Sequence, residues 1–532
     1  MTTLTVQLLT PEIVLIAAAV AIYLGGTFSA ARQAWSWLAA AAVVVAAVAL
    51  WAQHGAATAG GPLVLDGLAW RGRWLTLAFG LLFVLLGFRP LPLSAAEYAG
   101  SLLLTVAGLM LVFDAGNLVL LFVALELISI PTYVLLYLGR RDAQGQESAA
   151  KYFFLSVLSS AIVLYGFSFL YGVGGSTQLT AVRAALADPA APSGFRAFSK
   201  VALALLFGGL CFRITAVPFH FYAPDVYQGT SYPNAALLSV IPKAAGFVVL
   251  TRLLLAAMPG LELYAWRAAA VIAVLTMTTG NVLALWQDDL RRLLAYSAIA
   301  HAGYMLIGLA VALATRNEPG SWNGLAALWF YLVVYAAATL GAFAVLEHLG
   351  RPERRLEGVE ELAGLGQTRP LAAALLAVFL LSLMGVPPLA GFWGKFCIFG
   401  SALNVDGAAG AAEGMQPWFT ALAIIGVLNA AVAAAYYLRV VAVMYFRTPL
   451  ATPPARGGGG PWWAAVACGL AVVLIGFFPG PLMREASDAG AQIPVAGQAD
   501  RTLSEGQKRP PPQPAPSSGV VAHPATVSRR GP

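Results

Sequence analysis

Charge is what this sequence has least of. Asp, Glu, Lys and Arg make up only 10% of its 532 residues, where a soluble globular domain carries about a quarter. With 59% hydrophobic residues and a mean hydropathy of +0.77, the chain belongs in a bilayer. Cysteine is scarcer still. Cys211, Cys397 and Cys468 stand far apart in apolar stretches, and without a CxxC pair neither an iron–sulfur cluster nor a structural zinc site is encoded. There is no GxGxxG between a strand and a helix, and no GxxxxGK[ST] loop, so nucleotide or redox chemistry must come from partners. The net charge of +7 does not signal nucleic acid. The basic residues are scattered over loops and tail with no extended basic face, and loop topology accounts for them.

What the chain has in abundance is apolar length. At about 20 residues per crossing, the pattern predicts an all-α polytopic membrane protein with about fourteen transmembrane helices. The crossings fall near 11–28, 36–53, 73–88, 98–114, 117–138, 149–172, 198–222, 231–257, 265–286, 292–314, 325–348, 371–400, 417–446 and 462–480. The first basic residue, Arg32, follows the first apolar stretch, whereas a secretory signal carries its positive charge before the apolar core. An uncleaved first crossing is expected, with the N-terminus outside by the positive-inside rule. An even number of crossings returns the C-terminus to the same side. Arg140, Arg141, Arg291, Arg292, Arg351, Arg354, Arg355 and Arg369 then fall inside, against Arg71, Arg73, Arg183, Arg196 and Lys200 outside. Residues 485–532 are polar and include PPPQPAPSS; too little apolar surface is present to fold alone, and a disordered tail is expected.

Two stretches break the apolar pattern. FRITAVPFHFYAPDVYQGTSYPNAALLSVIPK (212–243) carries Pro218, Pro224, Pro233 and Pro242 beside Arg213, His220, Asp225 and Lys243. Each proline removes a backbone donor, which lipid cannot replace. A broken seventh helix lining a polar cavity is the natural reading. Gly385-Val386-Pro387-Pro388, followed by Lys395, breaks the twelfth helix in the same way, and such paired interruptions mark ion or substrate paths. The segment 149–157 aligns with 326–334, Pro218 with Pro387 and Pro388, and Glu126 with the neighbourhood of His301. Three matches in one order point to a duplicated five-helix unit. The expected organisation is helices one to three in 1–97, repeats at 98–257 and 265–446, a last helix at 462–480, and the tail.

Ionisable residues at membrane depth are costly and therefore functional candidates. Glu126 lies mid-helix; its bland alternative is a carboxyl pairing with a neighbouring helix. Lys243 and Lys395 follow the two breaks, and a buried lysine can exchange a proton near neutral pH; snorkelling to the interface is the competing reading. Arg213 differs, because a guanidinium keeps its proton. It can hold Glu126 ionised or modulate a lysine electrostatically. His301 suits a proton shuttle, as does His220 with less positional support. Asp225 reads as a cap or loop contact, and Asp288, Asp289, Arg291 and Arg292 as a solvated loop. One carboxylate, two lysines and intervening histidines on broken helices make a proton wire with switchable stations.

The stretches LELISIPTYVLLY (125–137), ESAAKYFFLSVLSSAIVLYG (147–166), VPFHFYAPDVYQG (217–229), QDDLRRLLAYSAIAHAGYML (287–306) and GVPPLAGFWGKF (385–396) resemble subunit N of bacterial proton-pumping NADH–quinone oxidoreductase. That enzyme is respiratory complex I, and the mitochondrial counterpart is NADH dehydrogenase subunit 2. VLDGLA (64–69) adds weaker similarity. The resemblance implies an antiporter-like fold with two inverted five-helix repeats. It also implies a proton channel in the membrane arm of the inner membrane, with other membrane-arm subunits as partners. No cofactor is expected in this chain; flavin, iron–sulfur clusters, NADH and quinone belong to partner subunits. The family's glutamate and two lysines match Glu126, Lys243 and Lys395, while its lysine in the seventh helix falls at Arg213, a departure. Two alternatives stand beside this reading: an Mrp-type cation/proton antiporter subunit, disfavoured because sodium sites want several oxygen ligands, and a structural subunit that conducts nothing.

Overall fold

The computed structural model describes residues 3–29, 32–54, 61–88, 95–140, 142–316, 323–350, 356–406, 414–449 and 458–491, together with Gly531. Arg141, Arg351, Arg354, Arg355 and the tail beyond 491 lie outside the described residues. Among the described residues the chain is helical, with isolated bridges such as Leu63 to Ala115 in place of strands. It is a multi-pass membrane protein.

The first helices are α1 (Thr10–Phe28), α2 (Arg32–Trp51) and α3 (Gly67–Gly87). A first set of five crossings follows: α4 (Ala95–Asp114), α5 (Leu118–Gly139), α6 (Ala143–Gly174), the broken α7 (Ser193–Arg213) with α8 (Ala223–Gly229), and α9 (Tyr232–Thr251). A π-helical turn, Arg252–Ala257, extends α9. The second set is α10 (Glu262–Ala284), α11 (Leu290–Ala314), α12 (Gly324–Leu349), the pair α13 (Pro370–Met384) and α14 (Ala390–Leu403), and α15 (Gln416–Phe446). Helices α16 (Gly459–Phe477) and α17 (Gly480–Ala491) end the described chain. Thirteen of these helices are long and apolar enough to cross a membrane; the pair α13–α14 supplies the fourteenth crossing. In both sets the fourth crossing is the broken one. Five crossings separate each helix from its counterpart, so counterparts run in opposite directions.

The few polar residues start helices. Asp66 caps α3 through Ala69 N at 2.8 Å, Asn117 caps α5 through Leu120 N at 2.7 Å, and Asp142 caps α6 through Gly145 N at 2.8 Å. Each side chain takes up a backbone donor that lipid would leave bare. Helices α9, α11 and α12 form the enclosed centre, with α11 buried along all but its first turns, where Arg292 and Tyr296 are partly exposed. Where α10 crosses α11, Gly280 and Gly303 let the backbones meet; a Cβ on either would stand 2.6 Å from a backbone nitrogen. Small residues permit such close crossings in membranes.

Both breaks are satisfied from within the protein. Val217 N donates to Thr276 Oγ1 at 3.0 Å, and Gly391 N to Ser382 Oγ at 3.1 Å. Each break also holds a cis peptide, at Val217-Pro218 and Pro387-Pro388. Asp225, on α8, pairs with Lys151 at 3.1 Å and Arg292 at 2.6 Å, tying the break to α6 and α11. Burial pushes its carboxyl upward, but hydrogen bonds and charge from Arg292 and Lys151 outweigh that and hold it below the usual carboxylate range.

Two expectations need correcting. The expected solvated loop holds only at Asp288, which is exposed: Arg291 and Arg292 belong to α11, Arg291 is buried, bonding Thr230 O at 2.9 Å and Glu357 at 3.1 Å, and Asp289 caps α11 through Arg291 N and Arg292 N. The stretch from residue 485 to 491 is helix rather than tail. It lies in α17, held to α3 by Arg71 pairing with Glu485 at 2.5 Å and Asp488 at 3.3 Å. Polar composition hid an amphipathic helix with one face to dock.

Gly391 gives a direct test of the second break. A Cβ there would lie 1.7 Å from Ser382 O, a backbone atom, whereas one at Gly172 would meet nothing within 4 Å. Gly391→Ala should destabilise the protein by about 1–3 kcal/mol or more, lowering the thermal midpoint of the detergent-extracted protein, while Gly172→Ala leaves it unchanged.

Candidate functional site

The ionisable residues at membrane depth form a row across the centre of the bundle. At one end, Glu126 on α5 accepts hydrogen bonds from Ser160 Oγ and, at 3.3 Å, from Arg213 Nη2. Arg213, the last residue of α7, is 3% exposed in its side chain. Its fork donates to Ser129 Oγ at 2.8 Å, Ser160 Oγ at 3.0 Å and Leu125 O at 3.3 Å. The arginine therefore bridges α5 and α6 at the start of the break. A planar guanidinium can serve all these acceptors together.

Two residues on, Thr215 has φ of 58°, a left-handed conformation that is strained for a β-branched residue by about 1–3 kcal/mol. The break holds it there, and its Oγ1 accepts from Lys243 Nζ at 3.2 Å. Lys243 is fully buried on α9. It also donates to Ala298 O on α11 and lies 5.2 Å from the Tyr335 ring centre. No carboxylate touches it; hydroxyl, carbonyl and ring face are its partners. That surrounding holds an ammonium without locking it in an ion pair, as a reversible proton carrier requires.

His301, one turn along α11 from Ala298, is buried in a cage of tyrosines. Its Nδ1 lies 2.6 Å from Tyr331 OH and its Nε2 3.1 Å from Tyr437 OH. Tyr335 packs on the ring at 5.1 Å and Tyr304 at 5.8 Å. Tyr437 OH continues to Ser297 Oγ. Hydroxyls on both ring nitrogens can each give or take a hydrogen, so the imidazole can change tautomer without losing a partner. Beyond Tyr304 stands Lys395 on α14, its Nζ 5.0 Å from that ring centre and donating to Met384 O at 2.8 Å. Met384 ends α13, so the second break offers Lys395 a freed carbonyl. Gly385, at φ 94°, turns the chain under the lysine stem; a Cβ there would lie 3.0 Å from Lys395 Cδ.

Five of the six candidates thus come together: Glu126, Arg213, Lys243, His301 and Lys395. His220 does not join them. It lies in the first break, half-buried, with no hydrogen-bond partner for Nδ1. The tyrosines and Thr215 were missed by sequence reasoning. A signal existed: Tyr304 follows His301 by three residues and Tyr335 follows Tyr331 by four, placing each pair on one helix face. Among the described residues no group of three His, Cys, Asp or Glu side chains could hold a metal.

Residues 115–435 match the family described as NADH:quinone oxidoreductase/Mrp antiporter, TM. The chain is 37% identical over 441 residues to NADH-quinone oxidoreductase subunit N 1 of Solibacter usitatus, covering 82% of this chain and 86% of that one. It is 36% identical over 498 residues to NADH-quinone oxidoreductase subunit N of Desulfovibrio desulfuricans, covering 89% and 95%. A chain of respiratory complex I from Thermus thermophilus, solved with bound aureothin, superimposes with TM-score 0.73 at 34% identity, over 90% of this chain and 99% of that one. The Mrp complex of a Dietzia species shares the fold, with TM-score 0.77 at 20% identity over 92% and 98%. The breaks, the buried row and these likenesses agree: the chain belongs to the subunit N branch of the NADH:quinone oxidoreductase/Mrp antiporter family.

Proposed function

We propose that this chain carries protons across the bacterial inner membrane as a membrane-arm subunit of NADH–quinone oxidoreductase. Electron transfer in partner subunits supplies the energy. The observation that carries the reading is the buried row Lys243, His301 and Lys395, in which the Tyr335 ring packs against both Lys243 and His301 and the Tyr304 ring against both His301 and Lys395. Each proton moved against the membrane potential costs about 2.3 kcal/mol per 100 mV. Nothing in the chain supplies that, so redox energy must reach it from neighbouring subunits holding NADH, flavin, iron–sulfur clusters and quinone. In this reading a proton is taken up from the cytoplasmic side near the first break, stored at Lys243, passed by His301 and released by Lys395. Both chain termini face outward, and the repeats 98–257 and 265–446 each frame one half of the path.

Arg213 acts in this scheme as a fixed charge. Where relatives use a lysine that can discharge, this chain keeps a permanent cation beside Glu126. The consequence is that Glu126 stays matched throughout the cycle, and switching falls to the lysines downstream.

Lys243→Ala should cut proton flow through this subunit by a factor of roughly 100 or more, the usual cost of deleting a positioned proton-transfer group. NADH-driven acidification, measured per electron in membrane vesicles with assembly checked by native electrophoresis, reports it; unchanged pumping in an assembled complex would refute the conducting role. Arg213→Lys should assemble and pump but with a shifted pH profile, since a lysine there can release its proton and cannot serve Ser129, Ser160 and Glu126 together. An unaltered profile would remove any special role for the guanidinium.

A further inference from the structure

A second polar cluster lies at the end of the bundle where α1 begins, apart from the central row. Arg73 on α3 donates Nη2 to Glu12 Oε2 at 2.9 Å and to Leu8 O at 3.0 Å, and its Nε lies 3.2 Å from Asp114 Oδ2. Arg252, which opens the π-helical turn after α9, donates to both oxygens of Asp66, Nη2 at 2.9 Å, and to Phe113 O at 2.7 Å. The side chains of Glu12, Arg73, Asp114 and Arg252 are all at most 2% exposed, and that of Asp66 is 10% exposed.

The charges do not balance. Three carboxyls face two guanidiniums, and if all are ionised the cluster keeps a net negative charge in an enclosed place, at a cost of several kcal/mol. Hydrogen bonding is incomplete in the same spot: Glu12 Oε1 and both Asp114 oxygens are buried without a donor in hydrogen-bond geometry, and Arg73 Nε and Arg252 Nε are buried without an acceptor. Among the described residues, neighbouring groups do not make up the difference. Gln53 offers its carbonyl to Arg73 at 3.5 Å, Arg71 is engaged by Glu485 and Asp488, and His54 packs on Trp70. The short helix Leu179–Ala187, beside the π-helical turn, carries Arg183, which is not among the bonds to these carboxyls.

We propose that Glu12, Asp66, Asp114, Arg73 and Arg252 form a proton-binding site that holds one proton, shared between Glu12 and Asp114. The added hydrogen brings the cluster to neutrality and gives one bare carboxyl oxygen a hydrogen of its own. Arg252 follows Lys243 by nine residues on one continuous helix, roughly 13 Å along its axis. Gain or loss of the shared proton therefore changes the electrostatic grip on the far end of the helix that carries the central lysine. Only this consequence for transport rests on the proton-carrier reading; occupancy of the site does not.

The two carboxyls titrate as a pair, which gives the test its form. Infrared difference spectroscopy of the purified complex in lipid nanodiscs should show a protonated-carboxyl band at neutral pH. Glu12→Gln alone and Asp114→Asn alone should each abolish it, because two carboxylates then match two guanidiniums. Both substitutions conserve shape and leave a neutral cluster, so assembly is expected to persist. Absence of the band in the unmodified complex, or its survival in both variants, overturns the proposal. Loss of the band on adding sodium chloride does so too, since a cation would then be the balancing group. Lys243→Ala keeps the two questions separate: it should leave the band in place whatever it does to pumping.

Discussion

No water is present at membrane depth to receive a stray hydrogen bond, and the architecture follows from that constraint. Backbone polar groups taken into the bilayer must find their partners within the protein. Continuous helices meet the demand along their own axes. The breaks cannot, so α7 and α13 end where Thr276 and Ser382 stand ready for the freed donors. A broken helix in lipid would unravel; wrapped in a bundle, it becomes a place where carbonyls and hydroxyls turn inward. The proposed path depends on that repair being local and leaving some of those groups available.

The central row shows how such groups are shared. Lys395 takes the Met384 carbonyl left at the end of α13, and Lys243 takes the Thr215 hydroxyl and the Ala298 carbonyl. Each lysine has neutral partners, while the strong ionic contact in the row is reserved for Arg213 and Glu126. In the proposed relay, a carboxylate beside either lysine would hold its proton tightly and stop the transfer. Placing the permanent cation with the acid, and the titratable cations among hydroxyls and rings, separates a fixed electrostatic element from movable ones.

Much of this was written in the sequence at the level of spans and breaks. Crossings follow from apolar length, and interruptions announce themselves through proline and glycine. Rare charges such as Glu126, Lys243 and Lys395 stand out against an apolar background. What escaped was decided by tertiary contact. Tyr331, Tyr335 and Tyr437 look like ordinary aromatic helix residues until α11, α12 and α15 converge on His301. Arg291 reads as a loop charge because its acceptors, Thr230 O and Glu357, are distant in sequence. Residues 485–491 look like tail because the docking face of their helix on α3 and α12 exists only after the bundle has formed. Local pattern reveals which residues are expensive to bury; it does not reveal what they are buried against.

Helix α9 joins these strands. Its N-terminal end begins just after the first break, its middle carries Lys243, and its C-terminal end passes into the π-helical turn anchored through Arg252 to Asp66. Enclosed almost throughout, it cannot adjust to a change of charge at Lys243 by turning towards solvent. Any response must run along the helix axis or into its direct neighbours, and both ends are held by polar contacts rather than by apolar packing alone. Apolar contacts tolerate sliding, whereas a bidentate guanidinium–carboxylate pair has one geometry. A charge appearing at the lysine therefore works against an anchor of fixed register, and it bears directly on the strained turn at Thr215, whose hydroxyl the lysine holds.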